Sequence, residues 1–370
     1  MKIESVEAIP LAASFRTLFR FGTTDRTDSP NVVIVIRTDQ GLAGYGEACP
    51  VPAFTSETQR SIVELVEERL EPMLVGRDPT RRTALLHDIS LLLKSAPFTV
   101  AALDTALLDV TARSMDVPVH VLLGGAVRDA VEVHGSVGWD SDAGRMVDTA
   151  LEQRETYRWL KLYAGRGQLD DDLDRLQAVR NAVGDQAKLF VDVNGMWTPG
   201  DLIRAIPRIQ ELGLRMVEQP LPPSASGFQR DLLAALRVDI AADESVRTLS
   251  DAVRVVRERS ATVMNVGHSK LGGPTAARQA AELALSAGMG VMVGSVIELG
   301  VATAMGIHLA ASLARLSYPS YLMGPLKYRE QITDQQIEVI DGHVAVPNGP
   351  GLGFTVDEDE LRRLDARNVR

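Results

Sequence analysis

The fold is decided by three stretches of the chain: LFVDVNG at positions 189–195, MVEQP at 216–220 and IAADES at 240–245. Each stretch is a short apolar run that ends in a carboxylate, at Asp192, Glu218 and Asp243. Apolar runs separated by amphipathic stretches are typical of a parallel sheet in which strands alternate with helices. The carboxylates recur about every 25 residues, which is the length of one strand–loop–helix unit.

The same pattern extends from about residue 131 to residue 322. Eight strand candidates end near Gly138, Tyr163, Asp192, Glu218, Asp243, Gly267, Gly294 and Leu322. Amphipathic segments predict intervening helices at 170–183, 199–212, 250–257 and 275–287. We therefore predict an α/β fold with a (β/α)8-type barrel, either complete or modified to (β/α)7β.

The first third of the chain predicts a smaller α+β unit. Strands are expected at 2–10, 31–38 and 42–48, and helices at 56–74 and 98–115. Asp39-Gln40-Gly41 is a tight hairpin signal, and the glycine pair 124–125 marks the end of the unit. This divides the chain into an α+β capping domain at 1–125, a barrel at 126–325 and a C-terminal segment at 326–370.

The C-terminal segment has a pattern of its own. Residues 339–346 are hairpin-like, and a charged helix follows that ends near Leu364. We expect this segment to return to the capping domain.

The composition of the 370-residue chain excludes several classes of protein. Lysine and arginine number 39 against 49 for aspartate and glutamate, and the net charge of −10 argues against an electrostatic nucleic-acid binder. The single cysteine, Cys49, excludes an intrachain disulfide and fits a reducing cytoplasm. The first residues do not read as a signal peptide, and no run approaches the roughly 20 apolar residues of a membrane span.

The strand-end carboxylates predict a metal site. The C-terminal ends of barrel strands converge on one face, so Asp192, Glu218 and Asp243 on consecutive strands are expected to lie close together. Unpaired anions in such an arrangement repel one another. A hard divalent cation with oxygen ligands removes the repulsion, and Mg²⁺ is the natural choice. For each acid alone, a helix N-cap or a solvated loop position is the alternative.

Several motifs together carry a resemblance to a known family. They are DQGLAGYGE at 39–47, AALDTALLD at 101–109, LLGG at 122–125, the three acid motifs, and GSVIE at 294–298. The sequence resembles the enolase superfamily, and within it the muconate-lactonizing (muconate cycloisomerase) subgroup.

The resemblance implies a reaction as well as a fold. It implies capping-domain loops, here around 21–28 and 50–54, that close over the barrel mouth and select the substrate, so Phe21 is expected to contact it. It implies that the three acids hold Mg²⁺, with Mn²⁺ as a substitute, and that a small-molecule carboxylate loses its α-proton to give an enediolate. A divalent cation makes this step accessible because it stabilises the second negative charge as that charge forms. The resemblance also implies a homo-oligomer.

Two positions depart from the pattern of this subgroup. Its members usually place Lys-x-Lys at the end of the second strand, with the second lysine as a base, and this chain has Lys161-Leu162-Tyr163 there. The Asn-x-Lys of the sixth strand becomes Asn265-Val266-Gly267. Lys270 lies three residues further on and is not expected to fill the vacancy. A reaction on one face of the enediolate survives these losses more easily than a racemisation with two lysine bases.

Tyr163 and Lys161 have two open interpretations. Either Tyr163 is the single base or acid, with Lys161 favouring its phenolate, or Tyr163 hydrogen-bonds the substrate while Lys161 polarises the substrate carboxylate. His268 follows the vacant strand end and is a candidate acid, although strict alternation points it away from the mouth. His134 on the first strand is either a core residue or a mouth residue.

Four further residues are expected to contact the substrate: Asn194, Ser295, Glu298 and Lys270. For Glu298, a helix cap is the alternative role. The predicted reaction is an elimination, as in a dehydratase, or a cycloisomerisation. The alternatives are a racemase or epimerase with a non-lysine second base, and a non-catalytic relative that binds a carboxylate in the presence of metal.

Overall fold

The capping unit is built on a three-stranded antiparallel sheet. The computed structural model describes residues 1–21 and 24–368. The sheet has the order β1 (Ile3–Pro10), β4 (Val32–Thr38) and β5 (Ala43–Ala48), close to the three predicted strands. Two further strands, β2 (Ala13–Phe21) and β3 (Thr24–Ser29), form an antiparallel ribbon that the sequence pattern did not predict.

Helices cover one face of this sheet. They are α1 (Gln59–Leu65), a π-helical turn (Val66–Leu70), α2 (Glu71–Leu74), α3 (Arg82–Leu92), α4 (Pro97–Ser114) and α5 (Val119–Leu122). Helix α1 begins with a capping box in which Thr58 and Ser61 bond each other's backbone N–H. Helix α4 packs so closely on β5 that a Cβ on Gly46 would overlap the carbonyl oxygen of Ala102. Glycine is therefore required at this contact.

Seven parallel strands form the barrel sheet. In order they are β7 (Gly135–Val137), β8 (Trp159–Tyr163), β9 (Lys188–Asp192), β10 (Met216–Glu218), β11 (Asp239–Ala242), β12 (Val263–Asn265) and β13 (Gly290–Met292). The helices that follow them are α6 (Ala143–Gln153), α7 (Leu169–Val183), α8 (Pro199–Glu211), α9 (Ser226–Leu236), α10 (Leu249–Glu258), α11 (Pro274–Ser286) and α12 (Gly300–Ser312). Strands and helices alternate as the sequence predicted.

The ring is closed by residues 317–321 rather than by a regular eighth strand. On one side, the backbone N–H groups of Ser317 and Tyr321 donate to the carbonyls of Val291 and Val293, over 2.8 and 3.1 Å. On the other side, Ser320 forms a single parallel bridge with Val133. The eighth strand predicted to end near Leu322 is thus a short bridging segment, and the architecture is the predicted (β/α)7β variant.

The C-terminal residues contact both parts of the molecule. Strand β14 (His343–Ala345) pairs with β6 (Ala130–Glu132). The segment with the hairpin-like pattern therefore pairs with the start of the barrel instead of the capping unit. Helix α13 (Glu358–Arg363) then leads back to the capping unit, where the Ala12 N–H donates to the Leu364 carbonyl over 2.8 Å. No helix in the described part of the chain is long and apolar enough to cross a membrane.

Glu47 ties the capping unit to the barrel. Its buried carboxylate on β5 accepts the backbone N–H of Leu299 over 2.6 Å and that of Ala302 over 3.0 Å, at the start of α12. The Asn31 side chain donates to the same carboxylate over 2.6 Å. Glu47 therefore caps a barrel helix from the neighbouring domain.

We expect Glu47→Ala to lower the free energy of unfolding by about 2 kcal/mol or more, because it leaves buried N–H groups without an acceptor. Urea unfolding followed by circular dichroism measures the loss. The matched control is Glu64→Ala, which removes only the exposed pair with Arg60 and should cost less than about 1 kcal/mol. Equal effects of the two substitutions would contradict the capping role.

Candidate active site

Lys161 lies at the centre of the strand-end acids. Along β8, Lys161 and Tyr163 face the inside of the barrel, where both line a cavity at its mouth. The Lys161 ammonium is 2.6 Å from Asp192 Oδ2 and 2.9 Å from Glu218 Oε2. Asp192 and Glu218 are register partners on neighbouring strands, and all three side chains are buried. The two carboxylates thus lie close together, as their strand positions predicted, and both contact Lys161 Nζ.

Asp243 is held by the second lysine of the site. It follows β11, and the Lys270 ammonium is 2.5 Å from its Oδ1 and 2.7 Å from its backbone carbonyl oxygen. Lys270 also crosses the space beside Gly267, where its Cε would lie 3.5 Å from a Cβ added to the glycine. The stem of Lys270 thus lies beside Gly267, while its ammonium is engaged with Asp243. The loop after β12 returns its side chain to the strand end.

Burial and charge set the protonation of this cluster. Burial raises the pKa of Asp192 to about 7, although Lys161 opposes the rise, and burial also raises the pKa of Asp243. Burial alone would lower the pKa of Lys161, but the facing carboxylates, Asp192 first, hold that pKa well above its usual value. Lys161 is thus a stable ammonium that neutralises its two partners.

The acids fit a divalent cation in donor chemistry. Asp192 Oδ2 and Glu218 Oε2 lie at ion-pair distance from Lys161 but outside hydrogen-bond geometry, so both buried oxygens lack a hydrogen-bond partner among the described residues. Carboxylate oxygens are among the ligands that Mg²⁺ prefers. Within the described residues, no three acid, histidine or cysteine side chains form a preformed metal cluster.

Amide side chains surround the acids. Asn265 Nδ2 donates to Glu218 Oε1 over 2.8 Å, and Asn194 Nδ2 donates to Glu244 Oε1 over 3.1 Å. Asn194 adopts a left-handed backbone with φ 49°, which asparagine tolerates better than most residues. Asn194 thus supports Glu244 and is not among the residues that line the cavity. The sequence analysis quoted Glu244 and Asn265 within the strand-end motifs but assigned neither of them a role in the site.

Tyr163 is buried beside the lysine, and its ring centre lies 5.2 Å from the Lys161 ammonium. Burial raises the pKa of Tyr163 far above its ordinary value, and Lys161 offsets only part of this rise. The charge of Lys161 thus favours the phenolate, but burial outweighs it and the phenol is the prevailing form. The negative charges of Asp192 and Glu218 add to the rise in the pKa of Tyr163, because they oppose a further anion nearby.

Two aromatic residues complete the wall next to Tyr163. His134 lines the cavity, so it is a mouth residue, and its ring centre lies 5.2 Å from that of Tyr321. Burial, aided by Lys161, lowers the pKa of His134 to about 3, so the imidazole is neutral. Neither His134 Nε2 nor the Tyr321 hydroxyl has a hydrogen-bond partner among the described residues. The sequence analysis missed Tyr321, which adjoins the predicted strand end at Leu322.

Glu298 and Ser295 also line the cavity. The Ser269 hydroxyl donates to Glu298 Oε1 over 2.7 Å, and the Ser295 hydroxyl donates to Glu298 Oε2. The alternative role of Glu298 as a helix cap does not hold, since Glu47 provides that cap.

His268 points away from the cavity, as strand alternation predicted. It is buried, and a Cβ added to Gly306 on α12 would lie 3.7 Å from its ring. The structure therefore does not bring His268 to the other candidate catalytic residues. The prediction for Phe21 concerns a side chain outside the described ones.

Comparisons with known proteins agree with this architecture. Residues 8–124 match the mandelate racemase/muconate lactonizing enzyme N-terminal domain, and residues 145–360 match the enolase C-terminal domain-like family. Muconate cycloisomerase 1 of Rhodococcus opacus is 33% identical over 98% of both chains. The L-Ala-D/L-Glu epimerase of Bacillus subtilis is 31% identical over 96% of this chain and 97% of its own. A muconate lactonizing enzyme from Pseudomonas fluorescens, solved with muconolactone, superposes with a TM-score of 0.94 at 30% identity, over 98% of this chain and 99% of its own.

The fold and its relatives define the class of protein as an enzyme of the enolase superfamily. Within that superfamily, the chain belongs to the mandelate racemase/muconate lactonizing enzyme family, in the muconate-lactonizing subgroup.

Lys161→Met should destabilise the protein by about 3 kcal/mol or more, because it leaves two buried carboxylates without a counter-charge. MgCl2 should restore more thermal stability to this variant than to the unmodified protein, since a divalent cation replaces the lost charge. Thermal unfolding with and without MgCl2 measures both effects. Lys94→Met, at an exposed position, is the control. A variant that Mg²⁺ does not stabilise would argue against a cation site at these acids.

Proposed function

We propose that this chain is a Mg²⁺-dependent enzyme that removes the α-proton of a small-molecule carboxylate to give an enediolate, followed by elimination or cycloisomerisation on one face. The observation that carries the proposal is the buried convergence of Asp192 and Glu218 on Lys161, with Asp243 on the next strand. These three acids would hold the cation, and Mn²⁺ should substitute for Mg²⁺.

The α-proton next to a carboxylate is too weakly acidic for a side-chain base unless the new negative charge is stabilised. A divalent cation at the three acids supplies that stabilisation to the substrate carboxylate. Lys161 holds an ammonium in the same buried place, so it also orients the substrate carboxylate and balances its charge. The site is buried, and electrostatic interactions between these charges are stronger there than in water.

Tyr163 is the residue we assign to proton transfer. Its side chain follows Lys161 on the inner face of β8 and lines the cavity. As a phenolate it would accept the α-proton at Oη, with the Lys161 ammonium as the charge that favours the ionised form. Gly267 leaves the sixth strand itself without a base at the facing position, which supports chemistry on one face.

A second candidate function is racemisation or epimerisation, and one observation favours it. The Lys270 side chain crosses the space beside Gly267, so the sixth-strand side of the cavity does carry an amine. Its ammonium is engaged with Asp243, which argues for a structural role. Deuterium incorporation with inversion at the α-carbon, lost in Lys270→Met, would favour this candidate over elimination.

Tyr163→Phe should lower Mg²⁺-dependent exchange of the substrate α-proton by about a hundredfold or more, the usual contribution of a positioned base. Proton NMR in D2O measures the exchange across sugar acids, amino-acid derivatives and muconate-like diacids. Tyr318→Phe, which removes a hydroxyl that bonds Asp239 at the other end of the barrel, is the matched control. Exchange that persists in Tyr163→Phe would contradict the assignment.

The exchange should also rise with pH. Because burial holds the pKa of Tyr163 above its ordinary value, only a small fraction is phenolate at neutral pH, and this fraction grows about tenfold per pH unit below the pKa. We expect the exchange rate to increase accordingly from pH 7 to pH 9, as measured by the same NMR assay. A flat profile over this range would show that Tyr163 does not act as the base.

A further inference from the structure

Glu298 is a buried carboxyl side chain that has no basic partner among the described side chains. Its side chain is 1% exposed and lines the same cavity as Lys161 and Tyr163. It accepts hydrogen bonds from the Ser269 and Ser295 hydroxyls, and no ion pair to it is found among the described side chains, which exclude those of residues 19–24. A carboxylate buried in this way is costly unless a positive group reaches it.

The positive charges of the cavity are already assigned. Lys161 pairs with Asp192 and Glu218, and Lys270 pairs with Asp243. With a divalent cation, these three acids and two lysines carry one net positive charge, which a single substrate carboxylate neutralises. The metal end of the cavity therefore accepts one carboxylate, and no described basic side chain of the cavity is left to pair with Glu298.

We propose that the substrate is an amino acid-like carboxylate whose second functional group is an ammonium bound by Glu298. This inference rests on the proposed function, because it takes the metal end of the cavity as the place where the substrate carboxylate binds. A second carboxylate in the position of the ammonium would lie beside Glu298, and the described side chains that line the cavity offer no further cation there. The cavity thus disfavours a diacid.

A second acceptor in the cavity supports the ammonium. The Tyr321 side chain is only 7% exposed, lines the cavity, and its hydroxyl has no hydrogen-bond partner among the described residues. An ammonium has three N–H donors, which suit a carboxylate and a phenol oxygen. The aromatic rings of Phe54, Tyr163 and Tyr321 also line this space, and aromatic faces attract cations.

Matched sets of ligands test the inference by binding as well as by turnover. Each set keeps one carboxylate and chain length and changes the distal group: 3-aminopropanoate, butanoate and succinate; 4-aminobutanoate, pentanoate and glutarate; 5-aminopentanoate, hexanoate and adipate. Calorimetry on the Mg²⁺-loaded protein measures binding, and NMR in D2O measures α-proton exchange. In at least one set, the ammonium compound should bind about tenfold or more tightly than both partners, as for a desolvated charge pair.

Two variants locate the effect. Glu298→Gln should abolish the preference for the ammonium compound and leave binding of the alkyl carboxylate within about twofold. Tyr321→Phe, which keeps the ring, should weaken ammonium binding about threefold through one lost hydrogen bond. Tyr321→Phe also keeps the test decisive if Glu298→Gln does not fold. Glu282→Gln, whose carboxylate pairs with Arg278 on the outer surface, is the control.

The outcomes separate the two proposals. Tighter binding of the alkyl or diacid compound in every set, or an ammonium preference that survives in Glu298→Gln, would overturn the ammonium site. If metal-dependent exchange is found for other carboxylates while no ammonium compound binds, the ammonium site is wrong and the proposed function stands. If no carboxylate undergoes metal-dependent exchange, the proposed function itself is contradicted.

Discussion

The mouth of the barrel depends on the neutralisation of carboxylates that parallel strands force together. Asp192 and Glu218 are register partners on neighbouring parallel strands, so the sheet fixes their backbones side by side. Each buried charge costs several kcal/mol unless it is paired. Lys161 provides that pairing, and under the proposed function a divalent cation would meet the same requirement. The lysine thus preserves a charged site that would otherwise destabilise the barrel.

Local signals in the sequence account for most of the fold. Apolar runs that end in Asp192, Glu218 and Asp243 predicted consecutive strands, because a buried parallel strand must be apolar up to the point where it reaches the mouth. The bridging segment at 317–321 was less accessible to such reasoning, since it makes only a few ladder bonds to distant residues. The cap that Glu47 provides for α12 joins residues about 250 positions apart, and no local pattern signals it.

The positions of the acids in the candidate site could be predicted from the sequence, and the positions and ionisation of the candidate bases could be predicted only in part. Strand periodicity placed Lys161 and Tyr163 inside the barrel and His268 outside it, and the structure agrees. The return of Lys270 towards Gly267 depends on the path of a loop, which periodicity does not specify. The ionisation of Tyr163 depends on a balance between burial and Lys161 that requires the three-dimensional arrangement of charges.

The most direct test of this account is the position of a Mn²⁺ ion in crystals grown with MnCl2, located by anomalous scattering. We predict one strong peak at about 2.1 Å from oxygens of Asp192, Glu218 and Asp243, with the Lys161 ammonium displaced from the line between its two partners. A peak elsewhere, or Lys161 still bridging Asp192 and Glu218 with no metal between the acids, would contradict the claim that these carboxylates form the metal site.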